Sequence, residues 1–180
     1  MMTEKKDSCI VCQIVSNNVP SKKVFEDDMV MAVLDVNGAN PGHCFVIPKN
    51  HYPIIEQVPD AEIGRLFQVS NKISTAIFES LGAQGTNIFV ANGVPAGQTV
   101  AHVMVNVIPR KENDGINLLW QPKQLSEEEM STVELKLKEQ SKNIGNFDRE
   151  KKAAKIQAAK PVMLSDDEEE YFSRQMRRIP

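Results

Sequence analysis

Cys9 and Cys12, separated by two residues, are the first side chains in this 180-residue chain with chemistry of their own. Thiols at this spacing in a reducing compartment form a metal or redox device more often than half of a disulfide framework. An odd total of three cysteines, with Cys44 standing alone, points the same way. His43, His51 and His102 supply the side chain that changes charge nearest neutrality and ligates metals most readily. Asn92-Gly93-Val94-Pro95-Ala96-Gly97-Gln98-Thr99 is a loop of residues that tolerate unusual backbone angles and expose amides, a composition able to bind an anion.

These groups need elements to hold them. Lys22 to Glu26 and Met29 to Val33 read as a hairpin with Asp27-Asp28 as its turn, and Cys44 to Ile47 as a buried strand closed by Pro48. Asp60 is expected to cap a long helix with Ile63, Leu66, Phe67, Ile73 and Ile77 at helical spacing and Gly82 at its stop. Asn87 to Val90 and Val100 to Ile108 give a fourth and a fifth strand. Ser126-Glu127-Glu128-Glu129 is a capping box opening a second helix through about Lys142, with Met130, Val133 and Leu137 on one face. Strands followed by single helices argue for an α+β fold with an antiparallel sheet.

The length suits one domain with an extension, divided here as 1–143 and 144–180. With 24 acidic against 21 basic residues the formal charge is -3, so non-specific wrapping of nucleic acid is disfavoured. No apolar run reaches the roughly 18 residues of a membrane span, and the charged amino terminus is unlike a signal peptide. The expected location is cytoplasmic. After Gly145 apolar content falls, and Arg149 to Lys160 reads as a linker or exposed helix. Ser165 then caps a short helix with acids Asp166, Asp167 and Glu168 in its first turn and Arg174, Arg177 and Arg178 in its last. Phe172, Met176 and Ile179 make its stripe, as in a segment that docks on a partner; a solvated charged tail is the alternative.

The segment Gly97-Gln98-Thr99-Val100-Ala101-His102-Val103-Met104-Val105-Asn106-Val107-Ile108-Pro109-Arg110 closely resembles the signature strand of the histidine triad (HIT) superfamily of nucleotide hydrolases and transferases. There, three histidines alternate with apolar residues after a Gly-Gln-Ser/Thr-Val lead. Leu34-Asp35, Pro41-Gly42-His43-Cys44-Phe45-Val46-Ile47-Pro48-Lys49-Asn50-His51 and Cys9-Ile10-Val11-Cys12 extend the resemblance over Ser8 to Lys142. It implies a HIT-like fold with a five-stranded antiparallel sheet, one long helix and a carboxy-terminal helix. The Arg177-Arg178-Ile179-Pro180 ending resembles archaeal members.

Only the first triad histidine is present; Met104 and Asn106 take the other two places. In a strand, positions 102, 104 and 106 share one face. The middle histidine of active relatives attacks the α-phosphorus of a nucleotide, and a thioether offers no ring nitrogen for that step. Ala91 stands where relatives usually carry an amide near the phosphate. The resemblance also implies a structural zinc held by Cys9, Cys12, His51 and His102, a Cys2His2 set that leaves no position for water. His43 is then left to support its turn. Asp35 matches a ribose-binding acid and Thr99 a phosphate-reaching hydroxyl, with Asn92 and Gln98 retained in the loop; Asp35 capping its own loop is the plainer reading.

Three functions follow. The first is a zinc-stabilised, catalytically degenerate HIT protein, homodimeric like its relatives, that binds a purine mononucleotide or a protein. The second is a HIT hydrolase or transferase with a non-histidine mechanism, using Arg110, Lys111 or tail arginines on the phosphate. The third is a scaffold whose tail residues Phe172, Arg174, Met176, Arg177, Arg178 and Ile179 dock on a protein or ribonucleoprotein partner.

Overall fold

The computed structural model describes residues 8–142 and 144. The described residues divide between two units, with the boundary between Leu135 and Lys136. The expected linker and tail helix lie outside the described residues. The first unit contains a short helix α1 (Ile10–Val15), strands β1 (Lys23–Glu26), β2 (Val30–Leu34) and β3 (Cys44–Pro48), the long helix α2 (Asp60–Leu81), and strands β4 (Gly85–Val90) and β5 (Val105–Arg110). All pairings are antiparallel, in the order β1-β2-β3-β5-β4.

Strand β2, Val-Met-Ala-Val-Leu, is apolar on both faces, so both must be covered. Val30 and Ala32 pack toward α2, together with Val46 of β3, Val105 and Val107 of β5, and the helix residues Leu66, Val69, Ile73 and Ile77. Met31, Val33 and Ile47 face the other way, and α1 covers them with Cys9, Val11 and Cys12. Each fully buried aliphatic side chain contributes about 1.5–3 kcal/mol. The β1–β2 turn is built by Asp27, whose Oδ1 accepts the amides of Met29 and Val30, each at 2.8 Å.

Helix α2 departs from expectation at two points. Pro59 occupies the N-cap position, without a side-chain bond, and Asp60 is the first helical residue, placed to favour the positive end of the helix dipole rather than to cap it. Phe67 is exposed, while the small polar Ser70 and Ser74 are buried. Ser70 bonds back to the Leu66 carbonyl at 2.8 Å and Ser74 pairs with Thr86 of β4 at 2.7 Å, so both hydroxyls are satisfied inside. Gly82 ends the helix in the left-handed conformation.

Strand β5 begins at Val105 rather than Val100. Upstream, the His102 amide bonds to the Val100 carbonyl and the Val103 amide to the Tyr52 carbonyl, both at 2.8 Å, which takes this stretch out of the ladder. Alternation of faces persists, with Val103, Val105 and Val107 toward α2 and Met104 toward α1. Pro109 lies inside β5, beyond the last β3 pairing, and its carbonyl accepts from Asn40.

The third helix, α3 (Glu127–Ser141), spans the boundary between the units and opens with the capping box: Ser126 N donates to Glu129 Oε2 at 2.8 Å, and Glu129 N to Ser126 Oγ at 3.3 Å. Met130, Val133 and Leu137 are exposed. Among the described residues no helix is long and apolar enough to cross a membrane.

Candidate metal centre and ligand face

Cys9 stands at the N-cap of α1 and Cys12 in its first turn, both buried against the sheet. His51 follows β3, and His102 precedes β5 with no exposed surface at all. The four ligand atoms lie within 4.8 Å of one another. Cys9 Sγ is 3.6 Å and Cys12 Sγ 3.7 Å from His102 Nδ1, and Cys12 Sγ is 3.3 Å from His51 Nδ1. Zinc–sulfur and zinc–nitrogen bonds of about 2.3 and 2.0–2.1 Å at a tetrahedral angle place sulfur and nitrogen roughly 3.6 Å apart, so the donors fit a single ion.

The outer shell fits as well. His102 Nε2 lies 3.0 Å from the Pro48 carbonyl, which can only accept, so Nε2 carries the proton and Nδ1 presents its lone pair to the thiols. Burial pushes the His102 imidazole down to about 4, against the opposing effect of that carbonyl, so the ring is neutral in the ligating form. Cys44 belongs to the other side of the sheet: burial pushes its thiol up to about 11, and it donates to the Gly42 carbonyl. It is a packed side chain.

The expected nucleotide residues fall into two groups. Asn92 and Gln98 hold the loop together. Asn92 Oδ1 accepts the Ile55 amide at 3.0 Å, and its Nδ2 donates to Glu56 at 2.7 Å. Gln98 Oε1 accepts the Gly93 amide, and its Nε2 donates to the carbonyls of Pro53 and Val100. The amides of Ala96, Gly97 and Gln98 also bond within the loop. The amides of Gly93, Ala96, Gly97 and Gln98 are thus engaged inside the loop. Thr99 is exposed beside it.

Asp35 lies next to His43. Its Oδ1 accepts the Asn37 amide at 2.9 Å, and its Oδ2 is 3.5 Å from His43 Nδ1. The same Nδ1 accepts the Ala39 amide at 3.2 Å, leaving Nε2 to donate to Asn106 Oδ1 at 3.2 Å. The position that would carry the third triad histidine thus serves His43. Met104 packs at the edge of the α1 cluster. Arg110 is fully engaged, bonding Asp114 twice, Asn87, and the Ile116 carbonyl. Two contributions lay beyond sequence reasoning: the Pro48 carbonyl, because backbone acceptors leave no residue signature, and Glu56, because its loop partner lies 36 positions away.

The family described as the HIT domain matches residues 16–113. The chain is 37% identical over 115 residues to the adenylylsulfatase HINT3 of Arabidopsis thaliana, covering 64% of this chain and 57% of that protein, so it spans little more than half of that relative. It is 42% identical over 107 residues to an uncharacterised HIT-like protein of Methanocaldococcus jannaschii, covering 59% of this chain and 82% of the relative. A zinc-bound histidine triad family protein from Mycobacterium smegmatis superposes with a TM-score of 0.60 at 33% identity, covering 66% of this chain and 86% of the other.

Proposed function

Since this chain belongs to the HIT domain family, we propose that it is a zinc-stabilised, catalytically silent member acting as a binding module for a purine nucleotide or its nucleoside. The observation that carries the reading is Met104. Its thioether stands between His102, turned toward the thiols, and Asn106, occupied by His43. A thioether cannot accept a phosphoryl group as an imidazole does, and losing a covalent nucleophile costs orders of magnitude in rate. His43 does not replace it, because its Nδ1 accepts an amide and its Nε2 carries a proton.

Zinc is the metal that the donor set favours, two thiolates and two imidazoles in a closed tetrahedron. It would fasten α1 to the centre of the sheet and supply no reactive position. A homodimer is supported by the open edge of β4 and by Phe67, Phe78 and Leu81, all exposed on α2. The alternative of a phosphate-activating Arg110 finds no support, because each of its terminal nitrogens and its Nε is already bonded.

Calorimetric titration of the metal-quantified protein with AMP, GMP and their nucleosides tests the module. Saturable binding that disappears in Asp35→Ala, without turnover of a phosphoramidate, supports it. Turnover by the native chain removes the silent reading, and the absence of binding removes the module.

A further inference from the structure

The two imidazoles of the cluster sit just outside the sheet ladder. Strand β3 ends at Pro48 and β5 begins at Val105, so strand pairing fixes the stretches around His51 and His102 only at one end. Their rings nonetheless meet edge to face, with centroids 5.2 Å apart. A backbone bond joins the two stretches, from the Val103 amide to the Tyr52 carbonyl at 2.8 Å. Two side chains outside the cluster add further ties.

Gln98 bridges the stretches directly. Its Nε2 donates to the Pro53 carbonyl at 2.7 Å and to the Val100 carbonyl at 2.9 Å, so both amide hydrogens are spent, one on each stretch. The His102 carbonyl lies 3.5 Å from the same nitrogen, and Oε1 accepts the Gly93 amide at 2.8 Å. Glu62, in the first turn of α2, holds the His51 stretch alone. Its Oε1 accepts from Tyr52 Oη at 2.9 Å and from Asn50 Nδ2 at 3.2 Å, the residues on either side of His51. Its Oε2 is buried and makes no hydrogen bond among the described residues. Burying a carboxylate oxygen without a partner is unfavourable, and an apolar side chain could pack against Tyr52 without that cost, so packing does not explain an acid here.

We infer that Gln98 and Glu62 are positioning residues of the metal centre, a bracket that sets His51 and His102 in ligating geometry; the inference rests on the zinc centre of the proposed function. Gln98 fixes the two stretches against each other, and Glu62 fixes the His51 stretch against α2. The imidazole half of the site is thus built from the core, and α1 brings the thiol half. Partners that orient ligands from outside the coordination sphere are worth about 10–100-fold in metal affinity. This bracket acts through residues next to the ligands, so the lower end applies.

The test measures the zinc affinity of the full chain by competition with a chelator, together with the visible spectrum of the cobalt-substituted protein. Gln98→Leu and Glu62→Leu are each expected to weaken zinc binding by about tenfold and to change the cobalt bands that report tetrahedral geometry. Glu62→Gln keeps an acceptor for Tyr52 and Asn50 and is expected to restore both readouts. Tyr52→Phe removes only the hydroxyl bond to Glu62; it is expected to shift affinity in the same direction and serves where a leucine variant does not fold. Ser74→Ala controls for lost stability, since it removes an internal bond between α2 and β4, and it is expected to leave affinity and spectrum unchanged. Native affinity and spectrum in the leucine variants, or an equal loss in Ser74→Ala, overturns the bracket and leaves the metal centre standing. No zinc uptake by the native chain overturns both.

Discussion

His102 Nε2 donates to the Pro48 carbonyl across 3.0 Å, and that bond decides which ring nitrogen meets Cys9 and Cys12. Deleting either side of the constellation is therefore expected to empty it. His102→Ala and Cys12→Ser should each lose stoichiometric zinc, read by atomic absorption. A metal present at a thousandfold above its dissociation constant stabilises by about 4 kcal/mol, so a chelator should lower the native melting transition and leave that of Cys12→Ser unmoved. A native transition indifferent to the chelator would exclude a structural metal.

Restoring the nucleophile alone is expected to fail. Met104→His returns an imidazole to the middle position, but the Gly93, Ala96, Gly97 and Gln98 amides and Arg110 remain engaged elsewhere. Hydrolysis of an adenosine phosphoramidate should stay at the background rate in this variant. Turnover clearly above it would show that a phosphate seats there after all.

Asp114 should govern part of the acid limb. Its bond to the Arg110 guanidinium, joined by the amides of Ile116 and Lys111, holds its carboxyl well below the usual carboxylate range. The folded state thus binds the proton less readily than the unfolded chain. The stability this supplies is complete above the unfolded value, near about pH 4, and disappears as pH falls further. Asp114→Asn is expected to melt earlier than the native chain at neutral pH, with the gap closing under acid in a series of thermal scans. A gap that stays constant to about pH 2 would assign the effect to packing instead.

Gly42 and Gly82 offer a matched pair. Both have positive φ, at 93° and 60°. A Cβ on Gly42 would collide with the Leu81 side chain and sit 3.3 Å from Pro109, whereas one on Gly82 meets nothing within 4 Å. Gly82→Ala should cost about 1 kcal/mol from backbone conformation alone, and Gly42→Ala about 1–3 kcal/mol with crowding added. Urea melts of the two variants would check the order.

Much of this was legible in the residues. The turn aspartate Asp27, the helix stop at Gly82 and the capping box at Ser126 announce themselves because each uses a local interaction that residue type reveals. The four metal-site residues were identified through resemblance, since nothing in the distance between Cys9 and His102 makes them neighbours. The start of β5 was not legible: Val100 and Val103 have strand-like side chains, but their neighbouring backbone bonds go to Val100 itself and to Tyr52. Phe67 was misplaced because helical spacing cannot tell that Ser70 and Ser74 would find internal partners and turn inward. The loop is legible only in part, for glycine-rich composition reports backbone freedom and is silent about a side chain such as Gln98 accepting the Gly93 amide.

Cys9 and His102 are 93 residues apart. Bringing two such points of an unfolded chain together costs about 4 kcal/mol in the length-dependent part of loop closure. On the ribosome, a chain that has exposed α1, β1, β2 and β3 owns Cys9, Cys12 and His51 but lacks the fourth ligand. The four side chains can come together only when residue 102 has left the tunnel, after α2 and β4. A bound metal would thus clasp α1 to the stretch just before the last described strand, and a truncated translation product would expose Met31, Val33 and Ile47 where the finished molecule has α1.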